Sequence, residues 1–316
     1  VAAAPAYRKQ HSWGEFVFDF SWGQAYARHG LPYYPKLLVS VPFSPINSAR
    51  LLVSPEGDSS SLRDALIGEL ERRCGTQGLS SAHATFLAVA DREAFSRHGW
   101  LLRSDVQFHW HNQGYADFES YLATFRSEKR KQAKRERRRI ADAGITITTL
   151  RGSQLDESTL EFVHAVHART FHAHGHEPYL NLEFFREIAR TLADALVVKL
   201  AHRECEPVAA AVLLAGPEAL YGRYWGAMEN FHSLHFELCY HQGIEFCIEH
   251  GLSRFEPGTQ GEHKVARGFV PSHTWSAHYI ADARFRDAIA DFLAREAEHV
   301  DAYAEAVAAH VPFHRE

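Results

Sequence analysis

No pair among the four cysteines, Cys74, Cys205, Cys239 and Cys247, has the spacing of a zinc ligand set or a CxxC redox motif, so reduced and mostly buried thiols are expected. No apolar run is long enough to cross a bilayer, and the opening "VAAAPAYRKQ" has none of the marks of a secretory signal. Those absences favour the cytoplasm. The opening also lacks an initiator methionine, which predicts further residues upstream. A nucleophile elbow and a P-loop are missing as well, and with them the usual serine hydrolases and nucleotide hydrolases. The net charge of −5 argues against wholesale coating by nucleic acid.

What is present is a chain of 316 residues that is 46% apolar, enough for two medium cores. Strand and helix patterns interleave. Prolines at 32, 35, 42 and 45 confine a strand to 36–41; a helix is expected over 61–74, then strands over 83–90 and 105–112. Asp117 can cap a long helix over 117–143, whose stretch "RSEKRKQAKRERRR" (126–139) holds nine Lys or Arg. Gly144 ends it, and a domain boundary is expected there, giving units 1–143 and 144–316.

Beyond the boundary the spacing predicts a strand over 145–150, helices over 158–171 and 180–193, and two strands joined by the turn "ECE". A third strand, "ALYGRYWGA" (219–227), a helix over 235–251 and a short strand over 254–258 follow. A strand over 274–280 and a closing helix over 284–309 complete a mixed α/β chain. The three alternate histidines of "FHAHGHEPYL" lack a partner at metal-ligand spacing and read as a loop, so no metal is expected.

The densest chemistry lies in "GTQGEHKVARGF" (258–269), where glycines bracket Glu262, His263, Lys264 and Arg267. Three glycines in so short a span suit a backbone that turns tightly or approaches a ligand, Gly261 among them. Paired surface charges would explain Glu262, Lys264 and Arg267 equally well, at no more than about 1 kcal/mol. In the strand "LYGRYWGA", alternation would aim Tyr221, Arg223 and Trp225 to one side, where Arg223 could meet a phosphate or carboxylate. The reading as plain sheet packing stays open for the aromatics.

The order "LYGRYWGA", a helix, then "GLSRFEPGTQGEHKVARGF" resembles the C-terminal half of the FemAB-like transferases, and "HSWGEFVFDFSWGQAYARHGLPYYPKLLVSVPFSP" and "SEKRKQAKRER" resemble the FemAB-related subgroup of peptidoglycan biosynthesis or recognition proteins. That resemblance implies two tandem GNAT-like (N-acetyltransferase) domains and transfer of an aminoacyl group from tRNA to an amine of a peptidoglycan precursor. It implies, too, that Lys264 matches the lysine of an FKxxFG-type stretch and steadies the oxyanion. Here His263 and Arg267 stand where that stretch has aromatics. His11, Glu15 and Lys36 fall, by the same resemblance, near the acceptor side of the first unit.

Amide formation needs a deprotonated amine, a positioned carbonyl and donors for the tetrahedral oxyanion. Glu262 or His263 could take the amine proton, and Arg223 or Arg267 could hold an anionic part of a substrate. No cofactor is required; the donor is an aminoacyl-tRNA or an acyl-CoA. The turn that cradles the pyrophosphate of coenzyme A is missing from "WGAMENFHSLHFE", so a thioester is not the default. The basic helix 126–139 could contact tRNA, or be a solvated face. A CoA-dependent acetyltransferase and a non-catalytic binder of peptide, glycan or RNA are the other readings.

Overall fold

The computed structural model describes residues 1–56, 58–259 and 261–314. Gln260, in the expected charged loop, and the last two residues of the expected second domain lie outside the described residues. Two compact units are present: Val1–Gln107 with Ser272–Ala306, and Phe108–Pro271 with Val307–Glu316. Compactness therefore divides the chain at other points than 143/144, because the basic helix packs with the strands that follow it, as its contacts with Ile145–Arg151 show.

In the first unit, Lys36–Val39 lies between Ala6–Lys9, antiparallel to it, and Ser81–Thr85, parallel to it; Ser81–Thr85 pairs in turn with the end of Val270–Ile280. The strand expected over 83–90 thus starts earlier and stops at Thr85, giving way to the helix Val89–Arg97. Helix Ser59–Thr76 is capped by Asp58, whose side chain accepts from the Ser60 and Ser61 amides, so the aspartate and not the serines supplies the cap. Val39, Ile67, Ala84 and Phe95 are fully enclosed in this unit's core.

In the second unit the strand order runs from the end of Leu101–His111 through Arg254–Glu256, Ala219–Ala227, Glu206–Ala215 and Leu196–Arg203 to Ile145–Arg151. Both faces are covered. Leu196, Val198 and Leu200 meet helices Glu157–Ala173 and Leu182–Thr191, whereas Val197 and Ala201 join the opposite cluster with Ala133, Leu238 and Phe246. That double burial is why these strands read as unbroken apolar runs. Glu204 and Cys205, both at positive φ, make the expected turn between two of them.

The long helix 117–143 is two helices, Phe118–Ala123 and Ser127–Asp142. Between them Phe125 bridges to Phe313 and the Arg126 amide donates to the Pro312 carbonyl at 2.8 Å, so pairing with the chain's last segment takes the backbone out of the helix. The Asp117 cap forms as expected, with the Ser120 amide as donor. The helix expected over 235–251 contains a π turn at Glu237–His241, flanked by α-helix at Leu234–Phe236 and Gln242–Glu249. Among the described residues no helix is long and apolar enough to cross a membrane.

Candidate active site

Arg254–Glu256 and Ala219–Ala227 run parallel and stay paired for three residues only, ending at Tyr221 opposite Glu256. Past that point the ladder ends. A bulge interrupts the ladder of Ala219–Ala227 with Glu206–Ala215 between Gly222 and Tyr224, while the other strand stops at Glu256 and Pro257 packs against Gly222. A cavity of about 280 Å³ occupies the opening. Its size approaches the lower end of small-molecule sites, roughly 300 Å³.

One wall is a short 3₁₀ turn, Glu262–Arg267, where an open loop was expected. Glycines hold its two ends. Gly261 sits at φ 103°, and a Cβ there would fall 2.0 Å from the His263 ring. Gly268 sits at φ 86° with Tyr121 against it, and the Tyr121 hydroxyl donates to the Arg267 carbonyl at 2.6 Å. Gly261 thus acts as a hinge that makes room for His263, a structural need that its placement among the substrate contacts did not include.

Lys264 is carried on this turn to the cavity wall. It is 1% exposed, and its Nζ donates to the Gly258 carbonyl at 2.6 Å. Burial pushes its pKa down to about 7, with only the Cys239 thiol opposing the shift. Beside it, His263 Nε2 and the Tyr240 hydroxyl are 2.8 Å apart. Burial holds His263 below the usual imidazole range, helped by Lys264 and then Arg267. Burial likewise takes His235 down to about 4, with His263 adding to the shift, so this imidazole is neutral at pH 7. Burial raises the pKa of both Tyr240 and Cys239, which keeps the phenol and the thiol protonated.

Arg223 and Trp225 border the same cavity, as expected, but Tyr221 does not. Tyr221 is still inside the parallel ladder, and the bulge after Gly222 breaks the alternation, so Tyr224 joins Arg223 and Trp225 at the wall in its place. Glu262 and His263 are both exposed, and of the two only His263 is among the lining residues. Arg267 is not placed to hold a substrate. Its Nε and Nη2 donate to Glu136 at 3.1 and 2.7 Å, its Nη1 donates to the His263 carbonyl at 2.6 Å, and the Phe236 ring covers it at 3.6 Å.

Glu136 faces inward from the basic helix, where His241 Nε2 lies 3.1 Å away. Burial raises its pKa but His241 and Arg267 outweigh that, so the carboxylate stays ionised. The outer face of the same helix exposes Lys131, Arg135, Arg138 and Arg139. Arg137 turns back to Glu237 and Glu245 at 3.2 and 2.7 Å.

In the first unit, Lys36 is fully enclosed and donates to Ser12 Oγ at 2.7 Å, Glu15 Oε2 at 2.7 Å and Asp19 Oδ2 at 2.5 Å. Lys36 and Glu15 are therefore partners of each other and not contacts open to a substrate; all three ammonium hydrogens are used. His11 is exposed, with its Nδ1 accepting from the Trp13 amide at 3.2 Å. Among the described residues no group of three or more His, Cys, Asp or Glu is placed to hold a metal ion.

Tyr240 and Cys239 are lining residues that the sequence did not single out as site candidates; His235, a weaker candidate there, lines the cavity as well. The signal available was their place in "HFELCYHQG", directly after the strand carrying Arg223. The π turn that sets which of them face inward has no signature in composition.

Three solved structures share the fold. The C-terminal domain of a putative lysylphosphatidylglycerol synthetase from Agrobacterium fabrum has 12% identity and a TM-score of 0.55, covering 82% of this chain and 81% of that one. L-PGS from Bacillus licheniformis has 12% identity and a TM-score of 0.54, with 81% of each chain covered. FemX has 10% identity and a TM-score of 0.50, covering 80% of this chain and 86% of that one. No curated protein sequence matches. The FemAB-like family model, described as peptidoglycan biosynthesis/recognition, matches residues 1–315, and the chain belongs to that family.

Proposed function

We propose that this FemAB-like acyltransferase forms an amide by attack of an acceptor amine on an aminoacyl or acyl donor seated in the cavity beside Lys264. The observation that carries the reading is the enclosed Lys264 ammonium on the wall of a cavity that opens where the parallel pairing of two strands ends. Attack on the carbonyl moves negative charge onto oxygen, and a fixed cation in a water-poor site stabilises that charge without reorganisation. The Gly258 carbonyl holds the ammonium in place through one of its three hydrogens, and among the described residues no other acceptor takes the remaining two.

His263 takes the amine proton and returns it to the carrier's oxygen or sulfur as the ester or thioester bond breaks, so the amide and the free carrier are released. With its Nε2–H donated to the Tyr240 oxygen, Nδ1 is the free acceptor, and the lowered pKa keeps the ring neutral at pH 7. Glu262, exposed and off the wall, is the weaker choice for this step. Arg223 holds an anionic part of the donor. The acceptor is an amine of a peptidoglycan-type precursor, which the family supports, and the exposed stripe Lys131, Arg135, Arg138 supports tRNA as carrier of the donor in the cytoplasm.

The test is Lys264→Ala, assayed by mass spectrometry for amide product from aminoacyl-tRNA and a muropeptide amine. Loss of a stabilising donor is expected to slow turnover roughly 10²–10³-fold. Full activity in a folded Lys264→Ala variant would falsify the assignment.

A further inference from the structure

Among the described residues that border the cavity there is no aspartate or glutamate, whereas Arg223 and Lys264 both border it. The nearby acids lie off the wall: Glu262 is exposed on the same turn as Lys264, and Glu237, Glu136 and Glu256 each have a donor partner. Glu237 accepts from Arg137 at 3.2 Å and from Gln242 at 2.9 Å. Glu136 is bound to Arg267, and Glu256 accepts from Arg254 at 2.7 Å. The other titratable lining groups, His235, His263, Tyr240 and Cys239, contribute no negative charge at neutral pH, since burial keeps both rings neutral and both acids protonated. The charged groups on the cavity wall are therefore all positive, Lys264 being partly protonated at pH 7.

A second cation placed there would meet like charge with no carboxylate to pair with, and in a half-enclosed site such repulsion is weakly screened. An anion meets the reverse. We infer that the cavity selects an acyl group bearing its own carboxylate, glutamyl-like or succinyl-like, and rejects a lysyl-like one. This rests on the proposed function, and it names the substrate class for the same site. The carboxylate lies against Arg223 at the bulged strand, and the reacting carbonyl faces Lys264 on the opposite wall.

The two possible carriers are separated by two probe series titrated into the full-length protein by calorimetry. One series is 3′-amino-3′-deoxyadenosine acylated with glutamate, alanine or lysine, a non-hydrolysable copy of an aminoacyl-tRNA end. The other is succinyl-CoA against acetyl-CoA. The expected result is at least tenfold tighter binding of the glutamyl than of the lysyl amide, with alanyl between, or the matching succinyl preference if the carrier is a thioester. Arg223→Met should flatten the order, and Thr259→Glu, which adds a carboxylate to the wall, should reverse it. Equal binding across a series, or a lysyl preference, overturns the inference and leaves the acyl-transfer reading intact. Failure of both series to bind overturns the acyl-donor reading and the inference with it.

Discussion

Two lysines in this protein are equally buried and opposite in character. Lys36, 0% exposed, is wrapped by two carboxylates and a hydroxyl, while Lys264, 1% exposed, donates to a single backbone carbonyl among the described residues. The first has its charge cancelled on the spot. The second keeps it uncompensated at the edge of a hollow, at a cost to folding that packing alone gives no reason to bear. Burial by itself does not distinguish a structural ion from a working one; the partners do.

The contrast can be broken most directly at Lys36. Lys36→Met leaves Glu15 and Asp19 enclosed without a counter-ion, and a loss of roughly 3–5 kcal/mol is expected in urea unfolding. A loss under 1 kcal/mol would mean the cluster is not the structural element described. The corresponding change on the other side is Lys264→Met, which should remove most of the amide-forming rate yet raise stability by about 1–3 kcal/mol at pH 6. A less stable Lys264→Met would show that the ammonium is paid for locally.

The sign of that gain with pH sharpens the comparison. Lys264 has a folded pKa of about 7, below the ordinary lysine value of 10.5, so between those two pH values the unfolded chain binds the extra proton. Stability therefore rises with pH across that window, and the full penalty applies below it. The advantage of Lys264→Met should fade in denaturation curves taken from pH 6 to pH 10, and a constant advantage would contradict the shifted pKa. In kinetics the order is reversed. The cationic form is lost as pH rises through about 7, giving a descending limb in kcat that Lys264→Arg should push upward by keeping its charge.

The smallest effect belongs to the basic helix. Replacing Lys131, Arg135 and Arg138 by alanine should weaken aminoacyl-tRNA binding and lower its salt slope by about 2, each phosphate contact being worth roughly 0.7–0.9. An unchanged slope would leave those side chains as a solvated face.

How legible each lysine was follows from the range of its interactions. Lys264 is marked by neighbours in the chain, the glycines at 258, 261 and 268. Lys36 depends on Glu15 and Asp19, some twenty residues upstream; both stood in the stretch "KQHSWGEFVFDF" but nothing local says that they fold onto it. The strands of the second unit could be read because both faces of their sheet are apolar and their sequences run unbroken. The break at Thr124–Arg126 could not, because Pro312 and Phe313 at the far end of the chain cause it. Tyr240 was hidden for the same kind of reason: its hydroxyl finds His263 across 23 positions.

Glu136 occupies the inner side of the helix whose outer side bristles with cations, and it grips Arg267 three positions past the buried amine. One ion pair therefore braces the basic helix against the turn that carries the buried amine, so the position of that turn depends on a side chain from outside the loop.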